Sequence, residues 1–465
     1  MASEKFRHQL RKEVTQWEAE GLIDSQLHQQ LANRYHFSEL DQVARNRFVM
    51  ILLGLGSILL GLAVITFVAA NWQFWSREVK VVLLLSLFTL VNTAGFYLWR
   101  SRDKGGKSRL GQGLLLLGGL ILGANLALMS QMFHQSGSVY QLYLVWGLGV
   151  LAMAYSLRLN LLAILAVILI GIGYWIGIID LYRYEWLSGF GQIIQHMPLL
   201  SSVIFIPLAY WCRSRWLFAI STVLVTASLE VSLFRLLDVL SFSGTIGGLM
   251  GAIAFALPPA LLWVYRDSLW EINLADTASF GSIARNIAIF WLSILFYTFS
   301  FHFFWKYAPS YSVKEIDWRY LLGLLDVAVL GGFTILAWWR LGYSPGSSYL
   351  WRINRTNAVV AGMIITSAVV CWLHISLGGL GAIATLVFNI LLFLLAVGLV
   401  REALANGKRR GFWSGIVLMV VHILSRMLEY DTGLIFKAIV LFLCGVGVIA
   451  AGLWFEQNVS RSLHP

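Results

Sequence analysis

Eight polar side chains lie inside or at the ends of long apolar stretches, where an ionisable group is costly unless it is paired or hydrated. They are Asn71, Gln131, His134, Glu230, Asp326, His422, Arg426 and Lys437. Acids in such positions are typical of proton or cation paths, and a histidine can titrate near neutral pH. The same residues are compatible with separate structural contacts, such as Arg426 with Glu429 three residues later.

Glu230 lies about two helical turns inside the end of an apolar run, and Thr222 and Thr226 continue its face at steps of four. Asp326 lies at a similar depth in another run. If the helices that carry the eight residues converge, these side chains line a polar vestibule open to the periplasmic side. The alternative is that each polar group is satisfied separately by its own neighbours.

The composition indicates what must position these residues. The chain has 465 residues, of which 58% are hydrophobic and only 12% are charged, and its mean hydropathy is +0.74. These values exclude an ordinary cytosolic enzyme and suffice for about fourteen membrane-spanning helices of about 20 residues each. Unbroken apolar runs also exclude an outer-membrane barrel, whose strands alternate apolar and polar residues. We therefore predict an all-α, polytopic integral membrane helical bundle.

Fourteen apolar runs are candidates for the spans. They cover residues 48–70, 79–98, 110–133, 139–157, 159–181, 198–212, 216–237, 244–265, 283–305, 320–339, 357–375, 378–400, 412–428 and 434–455. The turns near Arg158 and Ser376 are so tight that each of these pairs of runs is either a hairpin or an interrupted helix. Interruptions are also expected near Pro207 and at Pro258 and Pro259.

Basic residues segregate when the chain is threaded through fourteen spans. Of the 34 Lys and Arg residues, 25 lie on the amino-terminal side and nine on the other. The positive-inside rule then places both termini in the cytoplasm, and we expect a multi-pass protein of the bacterial inner membrane. The net charge of +11 reflects this loop bias, so we do not expect nucleic-acid binding.

Residues that could support catalysis or hold a cofactor do not form a recognisable pattern. The three cysteines, Cys212, Cys371 and Cys444, are scattered, without a CxxC pair. Acids in the predicted outer loops have no metal-ligand spacing and no nucleophile with a base nearby in sequence. We therefore expect no metal, no cofactor and no enzyme, and an enzyme that acts on lipid-linked substrates is the least favoured class.

The first 47 residues form a separate segment, predicted to be a cytoplasmic amphipathic helical hairpin. Four residues, Phe6, Leu10, Val14 and Trp17, share one helical face. Gly21 is a candidate stop and Asp24 a candidate cap for a second helix, whose face carries Leu27, Leu31 and Tyr35. The hairpin docks on the membrane domain or on a cytoplasmic protein partner, or it is only a charged anchor. The transmembrane domain then covers 48–456, and 457–465 is a cytoplasmic tail.

Three segments carry a family resemblance. They are LRKEVTQWEAEGLI (Leu10–Ile23), ILLGLGSILLGLAVITFVAANW (Ile51–Trp72) and GANLALMSQMFHQSGSVYQLYLVWGL (Gly123–Leu148). Together they resemble the bacterial domain of unknown function 2157, a family of predicted polytopic membrane proteins. A looser similarity covers Gly407–Glu456. The resemblance implies an architecture and supplies no reaction, ligand or site residue.

Two function classes remain besides the disfavoured enzyme. A transporter or exporter with an unknown small-molecule or ion substrate uses many spans and the acids Glu230 and Asp326 for coupling. A scaffold, sensor or assembly factor reads a partner through the hairpin. Transport is favoured because many-span proteins without loop domains are often transporters, an argument from architecture alone.

Overall fold

The computed structural model describes residues 4–35, 37, 59, 66, 70, 74–101, 106–134, 137–181, 189–240, 245–267, 280–306, 323–342, 354–429 and 433–463. The chain divides into two compact units, Met1–Leu87 and Phe88–Pro465. The predicted boundary between residues 47 and 48 lies outside the described residues.

The first unit begins with the predicted helical hairpin. Helix α1 is Glu4–Ala19 and helix α2 is Ser25–Arg34. Gly21 has a φ of +73°, the left-handed conformation that ends α1 without a Cβ clash. The Asp24 carboxylate accepts a 2.8 Å hydrogen bond from the Leu27 backbone N–H and so caps α2. Both local predictions are confirmed.

A small apolar core joins the two helices. Buried Val14 and Phe37 are its centre, and the partly buried residues around them are Leu10, Trp17, Ile23, Leu31, Ala32 and Tyr35. The prediction was wrong for Leu27, which is 43% exposed. In the next residue, His28, Nδ1 lies 3.1 Å from Oε2 of Glu18 in α1. Helix α2 therefore presents residue 28, and not residue 27, to α1.

Fifteen further helices are described in the rest of the chain. They are α3 (Arg77–Arg100), α4 (Gly106–Met132), α5 (Val139–Leu157), α6 (Asn160–Leu181), α7 (Gly189–Gln195), α8 (Met197–Trp211), α9 (Arg215–Leu240), α10 (Thr245–Val264), α11 (Phe280–Phe299), α12 (Phe303–Lys306), α13 (Leu324–Gly342), α14 (Arg355–Leu377), α15 (Gly381–Ala405), α16 (Arg409–Glu429) and α17 (Leu434–Leu463). Helices satisfy their backbone hydrogen bonds internally, as the bilayer core requires.

Twelve of the described helices are long and apolar enough to span a membrane, and the number rises to thirteen if α7 and α8 together form one bent span. They match the predicted runs from 79–98 onward. The predicted first run, 48–70, falls on residues that are almost all outside the described part of the chain. The protein is therefore an all-helical polytopic membrane protein in contact with the lipid bilayer.

Both tight turns separate complete helices. Arg158 ends α5 with a φ of +54°, and α6 packs back along α5. Gly378 and Gly379 both have a φ of +70° and join α14 to α15, a conformation that suits glycine because it lacks a Cβ. These pairs are hairpins, which resolves the alternative in favour of two spans each.

The predicted interruptions at proline lie elsewhere. Helix α8 continues through Pro207, and α10 continues through Pro258 and Pro259, so the expectation of breaks there was wrong. Neighbouring helices cover these positions, and a packed helix tolerates the lost backbone hydrogen bond. The break occurs instead at His196, where α7 and α8 meet at 71°. Pro198 stands in the first turn of α8 and would clash with the Ile194 carbonyl in a continuous helix.

Among the described residues, three large apolar clusters hold the second unit together, and a small fourth one around Ala403 and Phe412 joins α15 to α16. The first joins α4 to α9 with the start of α11, the second joins α10, α11, α14 and α15, and the third joins α9, α10 and α13. Close helix approach uses glycine, for example at Gly123 of α4. A Cβ on Gly123 would lie only 2.2 Å from the Trp146 indole. Helix α17 has no buried residue in its apolar window and continues to Leu463, through most of the predicted tail.

Candidate functional site

The carboxylate of Asp326 is fully buried near the start of α13. Its Oδ1 lies 2.8 Å from Nδ1 of His196, the residue at the break between α7 and α8. The backbone N–H of Leu199, in the first turn of α8, also interacts with this carboxyl group. The free N–H groups at a helix start favour a negative charge, so the break and the acid are complementary.

Glu230 lies on α9, a helix that packs against α13. Its neighbour Leu229 packs in the third apolar cluster with Val327, which is the neighbour of Asp326. One carboxyl oxygen of Glu230, Oε2, is buried without a hydrogen-bond partner among the described residues. The group interacts electrostatically with Cys371 of α14.

The threonines on the predicted face of Glu230 do not bond to it. Thr222 donates to the Phe218 carbonyl at 2.7 Å, and Thr226 donates to the Thr222 carbonyl. Both hydroxyls therefore donate to backbone carbonyls of α9 one turn earlier. The three residues share a helical face, but neither threonine hydroxyl donates a hydrogen bond to the Glu230 carboxylate.

A second polar cluster surrounds the end of α11. Arg426 of α16 donates to the Ser300 carbonyl at 2.6 Å and forms an ion pair with Glu429. Its guanidinium also lies 4.0 Å from the centre of the Phe301 ring. Glu429 accepts a 2.8 Å hydrogen bond from the His302 backbone N–H. The end of α16 is thus bonded to the segment that follows α11. Both Arg426 and Glu429 have partners in that segment.

Asn389 of α15 completes this second cluster. Its side-chain amide donates to the Ser300 carbonyl at 2.9 Å and to the Thr385 carbonyl of its own helix at 2.7 Å. The Ser300 carbonyl therefore has two side-chain donors from two helices. This arrangement fixes the ends of α11, α15 and α16 relative to one another.

The other predicted residues are more dispersed. His422 lies one turn before Arg426 and is partly buried, and its Nδ1 has no hydrogen-bond partner in the described part of the chain. Lys437 is partly buried in the first turn of α17. Gln131 and His134 are exposed at the end of α4, and His134 has a φ of +51°. Asn71 lies outside the described residues.

The structure thus divides four of the predicted residues into two sets that lie on different helices. Asp326 and Glu230 lie on α13 and α9, which pack against each other, whereas Arg426 and His422 lie on α16 beside the end of α11. No hydrogen bond or ion pair joins the two sets in the portions that the structure describes. A single vestibule lined by all eight residues stays a prediction.

An apolar cavity of about 220 Å³ has walls on α8, α9, α10, α11 and α13, and neither His196 nor Asp326 is in its lining. Its lining includes Leu199 and Val329, each three residues beyond one member of the pair, and Thr222 of α9. Within the described ranges, no group of three or more His, Cys, Asp or Glu side chains could hold a metal ion.

Comparison with known proteins gives one match. Residues 15–163 match the model of DUF2157, a family of predicted membrane proteins. The predicted resemblance is confirmed for this part of the chain. No curated protein and no solved structure matches. The similarity proposed for Gly407–Glu456 stays a prediction, and the match contains neither polar cluster.

Sequence reasoning missed three residues that the structure places in these clusters. Asn389 offered a signal, because an amide inside the apolar run 378–400 needs partners. His196 lies two residues before Pro198, which stands at the start of an apolar run and marks a helix boundary. Ser300 contributes only its carbonyl to Arg426 and Asn389, and no side-chain signal could have identified it.

Proposed function

We propose that this multi-pass membrane protein is a transporter or exporter and that His196 and Asp326 hold its coupling proton or cation. One observation carries the proposal: a fully buried carboxylate is hydrogen-bonded to an imidazole at the break of a discontinuous helix. Broken helices with ionisable groups at their ends are how many transporters bind substrates and coupling ions inside the bilayer.

The chemistry of the pair suits reversible proton binding. A carboxylate in a membrane span is costly and needs a partner, and His196 supplies one at 2.8 Å. The pair can hold a proton between Nδ1 and Oδ1, and a further proton changes its net charge. Such a change alters the attraction between Asp326 and the first turn of α8, so protonation is coupled to the geometry at the break.

The apolar cavity gives a substrate a place next to the charge. Leu199 and Val329 line it one turn away from His196 and Asp326. A substrate in this cavity would lie one turn from the coupling pair on both α8 and α13, so the two helices that hold the proton would also contact the substrate and couple the binding of one to the affinity for the other. A cavity with apolar walls suits a substrate with an apolar body.

Proton-driven currents test the proposal. Purified protein in liposomes is adsorbed on a solid-supported membrane, and the current that follows a one-unit pH step is recorded. Wild-type protein should give a current above that of empty liposomes, and Asp326→Asn and His196→Gln should abolish it. Glu402→Gln, which removes an exposed acid at the end of α15, should leave it unchanged. A current of wild-type size in either Asp326→Asn or His196→Gln rejects the assignment, as does the absence of current in wild-type protein.

A scaffold or sensor is the second candidate, favoured by the hairpin's own apolar core around Val14 and Phe37. The hairpin also leaves Leu22, in the turn, and Leu27, in α2, exposed at 68% and 43%. Deletion of residues 1–45 separates the candidates. A transporter keeps its proton-driven current after the deletion, whereas a scaffold loses its partner in a crosslinking pull-down.

A further inference from the structure

A second cavity lies between α14 and α15, and like the first it has walls on α10 and α11. It has a volume of about 700 Å³, and its floor contains Leu292 of α11 and Trp263 of α10. Helices α14 and α15 are joined at Gly378 and Gly379, and the cavity opens at their other ends, where α14 begins and α15 finishes.

The polarity of the lining changes along both helices. At the open end stand Arg355 and Thr356 of α14 and Arg401 of α15. Farther in, the walls are Val359 and Met363 on α14 and, on α15, apolar residues including Leu395. The lining thus has a basic end and an apolar interior.

The length of the cavity matches one leaflet. From Arg355 to Met363 the axis of α14 advances about 12 Å at 1.5 Å per residue, and the hydrocarbon core of a bilayer is about 30 Å thick. The lining from Arg355 to Met363 therefore covers most of a single leaflet, which is about 15 Å deep, and its apolar part from Val359 to Met363 covers about 6 Å of that depth. An occupant with a charged group at Arg355 would place its apolar part along this wall.

The charge at the open end favours an anion. Arg355 and Arg401 are exposed, and neither has an ion-pair partner among the described residues. A third basic group, Arg285 of α11, lies 6.0 Å from the Trp263 ring. Glu402 is the single acid in the lining. Basic pockets between membrane helices are known to recognise anionic lipid headgroups.

We infer that this cavity is a binding site for one anionic phospholipid. Its phosphate lies between Arg355 and Arg401, and an acyl chain lies along Val359, Met363 and Leu395. The site is separate from the His196 and Asp326 pair and does not depend on the proposed transport.

Native mass spectrometry of the full chain in detergent tests the inference, with phosphatidylglycerol and phosphatidylcholine as probes. We expect one phosphatidylglycerol to be retained in preference to phosphatidylcholine. The double variant Arg355→Gln/Arg401→Gln should bind phosphatidylglycerol roughly 30-fold more weakly, at a factor of about five for each arginine. The control Arg340→Gln/Arg410→Gln removes two exposed arginines outside the lining and should bind like wild type.

A second pair of variants tests the apolar part. Gly398 lines the cavity and a Cβ there meets no atom within 4 Å, so Gly398→Leu fills space without a backbone clash. It should reduce phosphatidylglycerol binding while both arginines remain. Gly362→Leu is the matched control, since Gly362 is equally open but lies outside the lining.

Three results would overturn the inference. The first is equal retention of both lipids by wild-type protein, and the second is unchanged binding in the Arg355→Gln/Arg401→Gln variant. The third is displacement of the lipid by millimolar glycerol phosphate, because that would show a site for a free phosphate anion. Gel filtration and thermal unfolding of every variant separate loss of binding from loss of fold.

Discussion

Arg426→Gln tests whether the cluster at the end of α11 is structural. Arg426 and Glu429 are only 15% and 17% exposed, so the substitution leaves a mostly buried carboxylate without its cation. Breaking such a pair costs about 3 to 5 kcal/mol. The bond to the Ser300 carbonyl and the contact with the Phe301 ring are lost together with the ion pair. We expect the free energy of unfolding to fall by about 3 kcal/mol, since glutamine keeps one short amide donor.

Thermal unfolding in detergent, followed by intrinsic fluorescence, measures the loss. The control is Arg410→Gln, an exposed arginine on the same helix, which should change stability by less than about 0.5 kcal/mol. The double variant Arg426→Gln/Glu429→Gln should recover at least half of the lost stability, because it removes the uncompensated charge.

Two results would refute this reasoning. One is an Arg426→Gln variant as stable as Arg410→Gln, and the other is a double variant whose loss equals the sum of the two single losses. If proton-driven current disappears in Arg426→Gln while stability is unchanged, then Arg426 acts in coupling and the structural interpretation of this cluster is wrong.

Two further predictions concern helix packing and capping. A Cβ on Gly111 would lie 2.2 Å from the Trp99 backbone nitrogen, whereas one on Gly113 meets nothing, so Gly111→Ala should lower the thermal midpoint and Gly113→Ala should not. Equal midpoints for the two variants would contradict close packing of α3 and α4 at this point. Asp24→Ala removes the cap of α2 at a cost of about 1 kcal/mol, so amide hydrogen exchange in α2 should accelerate severalfold, while Gln26→Ala leaves it unchanged. Unchanged exchange in Asp24→Ala would show that the cap contributes nothing.

Much of the fold was accessible from sequence because its causes are local. Hydropathy over about 20 residues decides which segments enter the bilayer, and the predicted runs from 79–98 onward correspond to described helices. Gly21 and Asp24 were predicted as stop and cap because both roles depend on neighbouring backbone atoms alone.

The contacts of the site were not accessible in the same way. His196 and Asp326 are 130 residues apart, and nothing local to either residue indicates the other. The depth of a residue in the bilayer follows from its position in a span, but its partner depends on how the helices are arranged. The same limit explains Thr222 and Thr226, whose spacing placed them on the face of Glu230 while their hydroxyls bond to the α9 backbone.

The long-range contacts do bear on the predicted alternation of spans. His196 and Asp326 lie at helix ends that the alternation assigns to the same face of the membrane, and so do Arg426 and Ser300. Tyr210, at the end of α8, donates to Asp267, just after α10, at 2.6 Å, and the alternation places both on the opposite face.

An error of one span between any of these partners would have set them on opposite faces, about 30 Å apart. The order of spans from α8 to α16 therefore agrees with the contacts between them. It follows that the two polar clusters lie toward the same face, at the ends of different helices. If protons reach His196 and Asp326 from that face, the Arg426 and Glu429 pair lies on the same side of the protein as their point of entry. Which face this is depends on the positive-inside prediction, and the site of labelling of a cysteine placed at Gly407 would decide it.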